Sequence, residues 1–89
     1  MIASIRNKGL RRFAETGDAA RLSVQNADRV RRILNLLDHT STPEEVDIPG
    51  LRFHSLSGTM AGRYAVAVSG NWRITFGWAD DGAVDVDYH

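Results

Sequence analysis

Residues 64–78 read YAVAVSGNWRITFGW, with Tyr64, Val66 and Val68 and then Trp72, Ile74, Phe76 and Trp78 at every second position. Period-two alternation is the signature of a strand with one buried face, so two strands joined through Ser69-Gly70-Asn71 are predicted. The opposite face carries the small residues Ala65, Ala67, Ser69, Thr75 and Gly77, with Arg73 among them. A further strand follows Asp80-Asp81-Gly82, which fits a three-residue hairpin loop with its glycine left-handed. Counting outward from that loop sets Ala79 against Ala83, Ile74 against Tyr88 and Arg73 against His89. Val84, Val86 and Tyr88 then join the apolar face, while Asp85, Asp87 and His89 join Arg73.

Upstream, the period changes to three and four. Leu10, Phe13 and Ala14 predict a helix over residues 8–15, capped by Asn7 or Ser4 and stopped by Thr16-Gly17-Asp18. A second helix starts from a Ser23 cap and buries Val24, Ala27, Val30, Ile33, Leu34 and Leu37, leaving Arg29 and Arg32 on its wet flank. Residues 40–50 form a polar connector in which Pro43, Pro49 and Gly50 exclude a helix. Residues 51–56 read as a strand with Leu51, Phe53 and Ser55 on one face and Arg52, His54 and Leu56 on the other. The apolar run at residues 1–5 is suited to an edge or central strand.

With 89 residues the chain is long enough for one domain, residues 1–89, and too short for a second core. It has no cysteine, hence no disulfide framework, and its start is charged by residue 6, unlike a signal peptide. A cytoplasmic location without membrane contact is expected. Neither a nucleotide-binding glycine loop nor a helical metal motif is present, so no cofactor and no metal are expected. Net charge is zero, but residues 6–32 hold eight basic residues against three acidic ones. Such a segment can face phosphates, although a solvated helix surface is the plainer reading of any one arginine.

The face that carries Arg73 gathers the remaining chemistry. An arginine among small neighbours either pairs with Asp85 or Asp87 for structure or presents its fork to an anion such as phosphate. His89 lies opposite it on the counted register, and His54 is within reach from the neighbouring strand. Cutting RNA without a metal requires a group to take the 2′-hydroxyl proton, a cation for the charge growing on phosphate, and an acid for the 5′-oxygen. Histidine, arginine and tyrosine can divide those tasks. Equally, Tyr88 fits a core position and His54 an ordinary strand position.

Residues 54–88 resemble the carboxyl-terminal half of the HigB toxins, within the RelE superfamily. The words that carry the likeness are His54-Ser55-Leu56-Ser57-Gly58, the pair Ala61-Gly62, and Val68-Ser69-Gly70-Asn71-Trp72-Arg73-Ile74-Thr75-Phe76. The amino-terminal half matches more loosely, through its opening and its two helices. The resemblance implies an α+β fold, a RelE-like antiparallel sheet packed against two N-terminal helices. It also implies a type II toxin that cuts mRNA on the ribosome, neutralised by a HigA-like helix-turn-helix antitoxin, with operator DNA touched only through that antitoxin. An inactive antitoxin-binding module in an autorepressor complex is the alternative.

Carried over by position, the resemblance makes His54 an acid–base or positioning group and Arg73 the phosphate binder. Ser57 stands where several members have lysine, with Arg63 or Arg52 as a substitute. Tyr88 and His89 make up the tail contribution. Asn71 and Arg63 join the RNA-contacting set, and Arg11, Arg12, Arg29 and Arg32 would hold ribosomal RNA. Family members end in a pattern such as DVDYxDYH, whereas this chain ends DVDYH, so its tail matches either the last or the earlier part of that pattern.

Overall fold

The computed structural model describes residues 1–20, 27–80 and 82–89. Ser23, Val24 and Arg21 of the expected second helix region, and Asp81 of the hairpin loop, lie outside the described residues. Helix α1 spans Lys8–Thr16. The Asn7 side chain accepts from the Leu10 backbone N–H at 2.9 Å, and Gly17 ends the helix in the left-handed conformation, φ 78°. Leu10 and Phe13 are buried as the spacing predicts, whereas Ala14 is exposed. Helix α2 spans Ala27–His39 and buries Val30, Ile33, Leu34 and Leu37. No helix among the described residues is long and apolar enough to cross a membrane.

The connector contains one tight turn that the prolines did not forbid. Pro43–Val46 forms a single 3₁₀ turn in which proline takes a first-turn position, where its missing N–H costs nothing. Glu45 reaches back to accept from the Ser41 and Thr42 N–H groups, and Val46 is fully buried.

Four antiparallel strands follow in sheet order β1-β2-β3-β4: β1 His54–Ser55, β2 Arg63–Ser69, β3 Trp72–Ala79 and β4 Gly82–Tyr88. The strand expected over residues 51–56 is cut to two residues because Arg52 takes a positive φ of 53°. Its alternation nonetheless survives. Leu51 and Phe53 pack toward the core and His54 points away from it. The apolar start lies parallel to β4, pairing Ile2 with Ala83 and Ile5 with Val86.

One correction concerns the β3–β4 hairpin. The observed register near the turn is Ala79 with Gly82, Trp78 with Ala83 and Gly77 with Val84, so the loop is two residues long rather than three. A β-bulge between Thr75 and Gly77 then absorbs one extra β4 residue, and Ile74 meets Tyr88 as counted. The bulge exchanges faces upstream of itself. Ala83 joins the core, whereas Val84 stands on the opposite face beside Gly77.

Both helices pack on the same side of the sheet. Leu10, Phe13, Val30, Ile33, Leu34 and Leu37 form one cluster with Val66, Val68, Ile74, Phe76, Val86 and Tyr88. Phe53, Tyr64, Phe76 and Trp78 form a run of neighbouring rings across this layer, with successive centroids 5.5, 5.7 and 6.4 Å apart. Burying each such side chain contributes about 1.5–3 kcal/mol. Among the described residues no helix packs on the other side of the sheet.

Candidate functional site

Paired residues on antiparallel strands share a face, so the register defines the uncovered face row by row. One row runs His54, Ala65, Thr75, Asp87 across β1 to β4. On one side of it lies Ala67, Arg73, His89, and on the other Arg63, Gly77, Val84. Alanine and glycine thus floor the middle, and the long polar side chains rise from its edges. At about 4.8 Å per strand, β1 and β4 stand about 14 Å apart, with Ala65 and Thr75 fully buried between them.

Arg73 and His89 are fixed side by side. The Arg73 N–H donates to the His89 carbonyl at 2.8 Å, and the His89 N–H donates to the Arg73 carbonyl at 3.0 Å. Arg73 makes no ion pair among the described residues. The two acids on its face are engaged elsewhere: Asp85 lies 3.7 Å from Arg6, and an Asp87 carboxylate oxygen accepts from the Tyr88 N–H. His54 is exposed, with Nδ1 2.9 Å from the Arg52 carbonyl. A carbonyl only accepts, so that contact puts the proton on Nδ1 and leaves Nε2 to face solvent.

Two residues take unexpected places. Arg63, expected among the RNA contacts, lies across the floor and donates through Nη2 to Thr75 Oγ1 at 3.2 Å and to the Asp85 carbonyl at 2.7 Å. Beside it, a Cβ on Gly77 would stand 3.2 Å from Val84 Cγ2, tighter than an ordinary contact, so glycine here accommodates Val84 on this face. Asp85 is the bulge residue, at φ 51°, and its groups leave the ladder: the N–H goes to Ser4 Oγ and the carbonyl to Arg63. Arg63 Nε is buried without a partner among the described residues, a cost of about 1–3 kcal/mol. This arginine braces β2 against β3 and β4.

Thr75 is the residue that sequence reasoning counted only as small. It is fully buried, and its Oγ1 stands 3.0 Å from His89 Nε2 as well as accepting from Arg63. A polar residue in the middle of a central strand, on the face of Arg73, was the available signal.

Tyr88 goes the other way. Its side chain sits on the helix-covered face, stacked on Trp72 with centroids 4.8 Å apart, and burial raises its phenol above the ordinary tyrosine value. Strict alternation separates it from His89, so it cannot share the open face with its neighbour. Asn71 is exposed in the β2–β3 turn, at one end of the face.

The helix arginines belong to a second surface, because both helices cover the far side of the sheet. Arg11 borders a cavity of about 560 Å³ lined also by Ile2, Ile5, Phe13 and Leu34. Arg12 pairs with Asp18 at 3.1 Å, and Arg32 is exposed. Arg29, expected on the wet flank, is half-buried and donates to the Ala67 and Gly50 carbonyls, so its guanidinium serves the fold.

The model of a family described as RelE-like toxins of the type II toxin–antitoxin system HigB matches residues 3–89. Endoribonuclease HigB of Proteus vulgaris is 31% identical over 88 residues, covering 99% of this chain and 96% of that protein. Toxin HigB-1 of Vibrio cholerae serotype O1 is 32% identical over 89 residues, covering 96% of this chain and 92% of that protein. With two helices on one side of a four-stranded antiparallel sheet and a match along almost its whole length, the chain belongs to the HigB-like family of RelE-type toxins from type II toxin–antitoxin systems.

Proposed function

We propose that the uncovered face cleaves messenger RNA, with residues 1–89 acting as one domain. The observation that carries this reading is the locked pair of Arg73 and His89 on a floor of small residues, with His54 at the opposite rim. A bound phosphodiester would meet the Arg73 guanidinium, which is suited to the charge that grows on the phosphoryl oxygens. One imidazole takes the 2′-hydroxyl proton as the 2′-oxygen attacks phosphorus. The other gives a proton to the departing 5′-oxygen. His54 Nε2, with Nδ1 held by the Arg52 carbonyl, is available for either step.

On this reading the message is cut on the ribosome in the cytoplasm. A HigA-type helix-turn-helix antitoxin blocks the toxin, and operator DNA is met only through that antitoxin. Arg11, Arg12 and Arg32 on the helix side would hold ribosomal RNA through phosphate contacts, Arg29 being engaged by the Ala67 and Gly50 carbonyls. Ribosome binding should therefore weaken as salt rises from 50 to about 200 mM, and a salt-independent affinity in a sedimentation assay would remove that surface from the account.

The decisive test is induction in growing cells, comparing wild type with Arg73→Ala for growth arrest and for cuts in translated message. Arrest and cleavage that vanish in the variant support the nuclease. One observation favours a second reading, in which the chain serves only to bind its antitoxin: the Tyr88 side chain is turned into the core and leaves the open face without a phenol. A wild type that neither arrests growth nor cuts message would establish that alternative.

A further inference from the structure

Thr75 is fully buried, and its hydroxyl touches two side chains from different strands. Among the described residues the other buried polar side chain is Thr40, which bonds locally to the Leu37 carbonyl one helical turn back. Thr75 has no such local use. Valine has the same shape and a higher strand preference, so burying a hydroxyl here serves its two partners and not the strand. Arg63 can only donate and takes one Oγ1 lone pair, 3.2 Å away. The remaining side of the hydroxyl, one lone pair and the O–H, faces His89 Nε2 at 3.0 Å, so Nε2 can donate to it or accept from it according to the tautomer. The His89 backbone is already held by its two bonds to Arg73, so this contact fixes what is left, the rotation of the ring.

We propose that Thr75, clamped by Arg63, is a positioning residue that holds the His89 ring through Nε2–H and so makes Nδ1 the nitrogen that exchanges a proton with RNA. The inference rests on the nuclease reading for its consequence, but not for its geometry. The proton count closes in both directions. As a base, neutral His89 keeps Nε2–H on Thr75 and accepts the 2′-hydroxyl proton at Nδ1, while the bond from the 2′-oxygen to phosphorus forms. As an acid, the imidazolium gives its Nδ1 proton to the 5′-oxygen as that bond to phosphorus breaks, and returns to the same neutral form. Thr75 neither gains nor loses a proton, and Arg63 stays charged throughout. The two histidines then work through different nitrogens, Nδ1 at His89 and Nε2 at His54, because a different protein oxygen occupies the other nitrogen of each.

The test uses 15N-labelled protein and two-bond imidazole correlation spectra, alongside single-turnover cleavage on programmed ribosomes. Wild-type neutral His89 should carry its proton on Nε2. Thr75→Val should move the ring toward the tautomer mixture of free histidine, lower the maximal cleavage rate about 10- to 100-fold with KM within about twofold, and displace the pH–rate profile. Thr75→Ser keeps the hydroxyl and should restore all three, and Arg63→Met should reproduce the Thr75→Val spectrum in part. A wild-type ring protonated on Nδ1, or a folded Thr75→Val with unchanged spectrum and profile, overturns the proposal. Should Thr75→Val not fold, an altered tautomer in Arg63→Met supports it and a wild-type one overturns it. If the wild type never cleaves while its spectra behave as expected, the nuclease reading falls and the positioning stands.

Discussion

The two faces of the β2–β4 sheet are made by the same three strands and are built on opposite principles. The helix-covered face is filled by large apolar side chains, among them Val66, Ile74, Phe76 and Val86, all fully buried, and its geometry follows from filling volume. The open face carries the small residues Ala65, Ala67 and Gly77, with Arg63 lying across to Thr75 and with Arg73 and His89 exposed beside them. Interior packing tolerates no gaps, whereas a binding face is defined by the ones it keeps. Alternation lets one strand serve both without compromise. Tyr88 and His89 are neighbours in sequence, yet one is a stacked core ring and the other is exposed on the opposite face beside Thr75.

That contrast is broken most severely by Phe76→Ala, which opens a cavity in the covered face. It should cost about 3–5 kcal/mol in urea unfolding, a large share of the stability of a domain of this size. Arg73→Ala should do the reverse, lowering cleavage by about 100- to 1000-fold while changing the unfolding free energy by less than about 0.5 kcal/mol. A large stability loss in that variant would mean that the open face also holds the fold together. Asn7→Ala removes the α1 cap and should cost about 1 kcal/mol in the same unfolding assay.

Tyr88→Phe sharpens the comparison most finely, through pH. Burial raises the folded phenol above its unfolded value near 10, so Tyr88 contributes stability in full below about pH 10. That contribution is lost as pH rises from there through the folded value, because the unfolded chain ionises first. Unfolding curves at alkaline pH should therefore fall less steeply for Tyr88→Phe than for wild type. An identical pH dependence would mean that the phenol is not desolvated.

The covered face was legible in the sequence and the open face only partly so, for a physical reason. Leu10, Phe13, Val30, Ile33, Leu34 and Leu37, and the alternation of Val66, Ile74 and Phe76, declare themselves because apolar burial imposes a period. The α1 boundary came out within one residue because Asn7 and Gly17 act on their own neighbours. Long polar side chains impose no such period. Where Arg29 and Arg63 spend their donors depends on carbonyls 38 and 22 positions away, Ala67 and Asp85, and no local pattern encodes that. The bulge at Asp85 was hidden for a related reason. A loop one residue too long and a bulge one residue wide cancel, so the pairing of Ile74 with Tyr88 came out correctly while Val84 fell on the wrong face.

The opening segment pairs with β4 through bonds that join the two ends of the described chain, from Ala3 N–H to the Ala83 carbonyl and from Arg6 N–H to the Val86 carbonyl. Contacts so far apart in sequence close the largest loop in the molecule and are the slowest to form. The order of folding follows. The helices and the β2–β3 and β3–β4 hairpins can assemble from nearby partners, while the parallel pairing beside β4 is completed only when the first six residues come to meet it. The Arg73–His89 pairing, made within the β3–β4 hairpin, can thus form before the two ends of the described chain are joined.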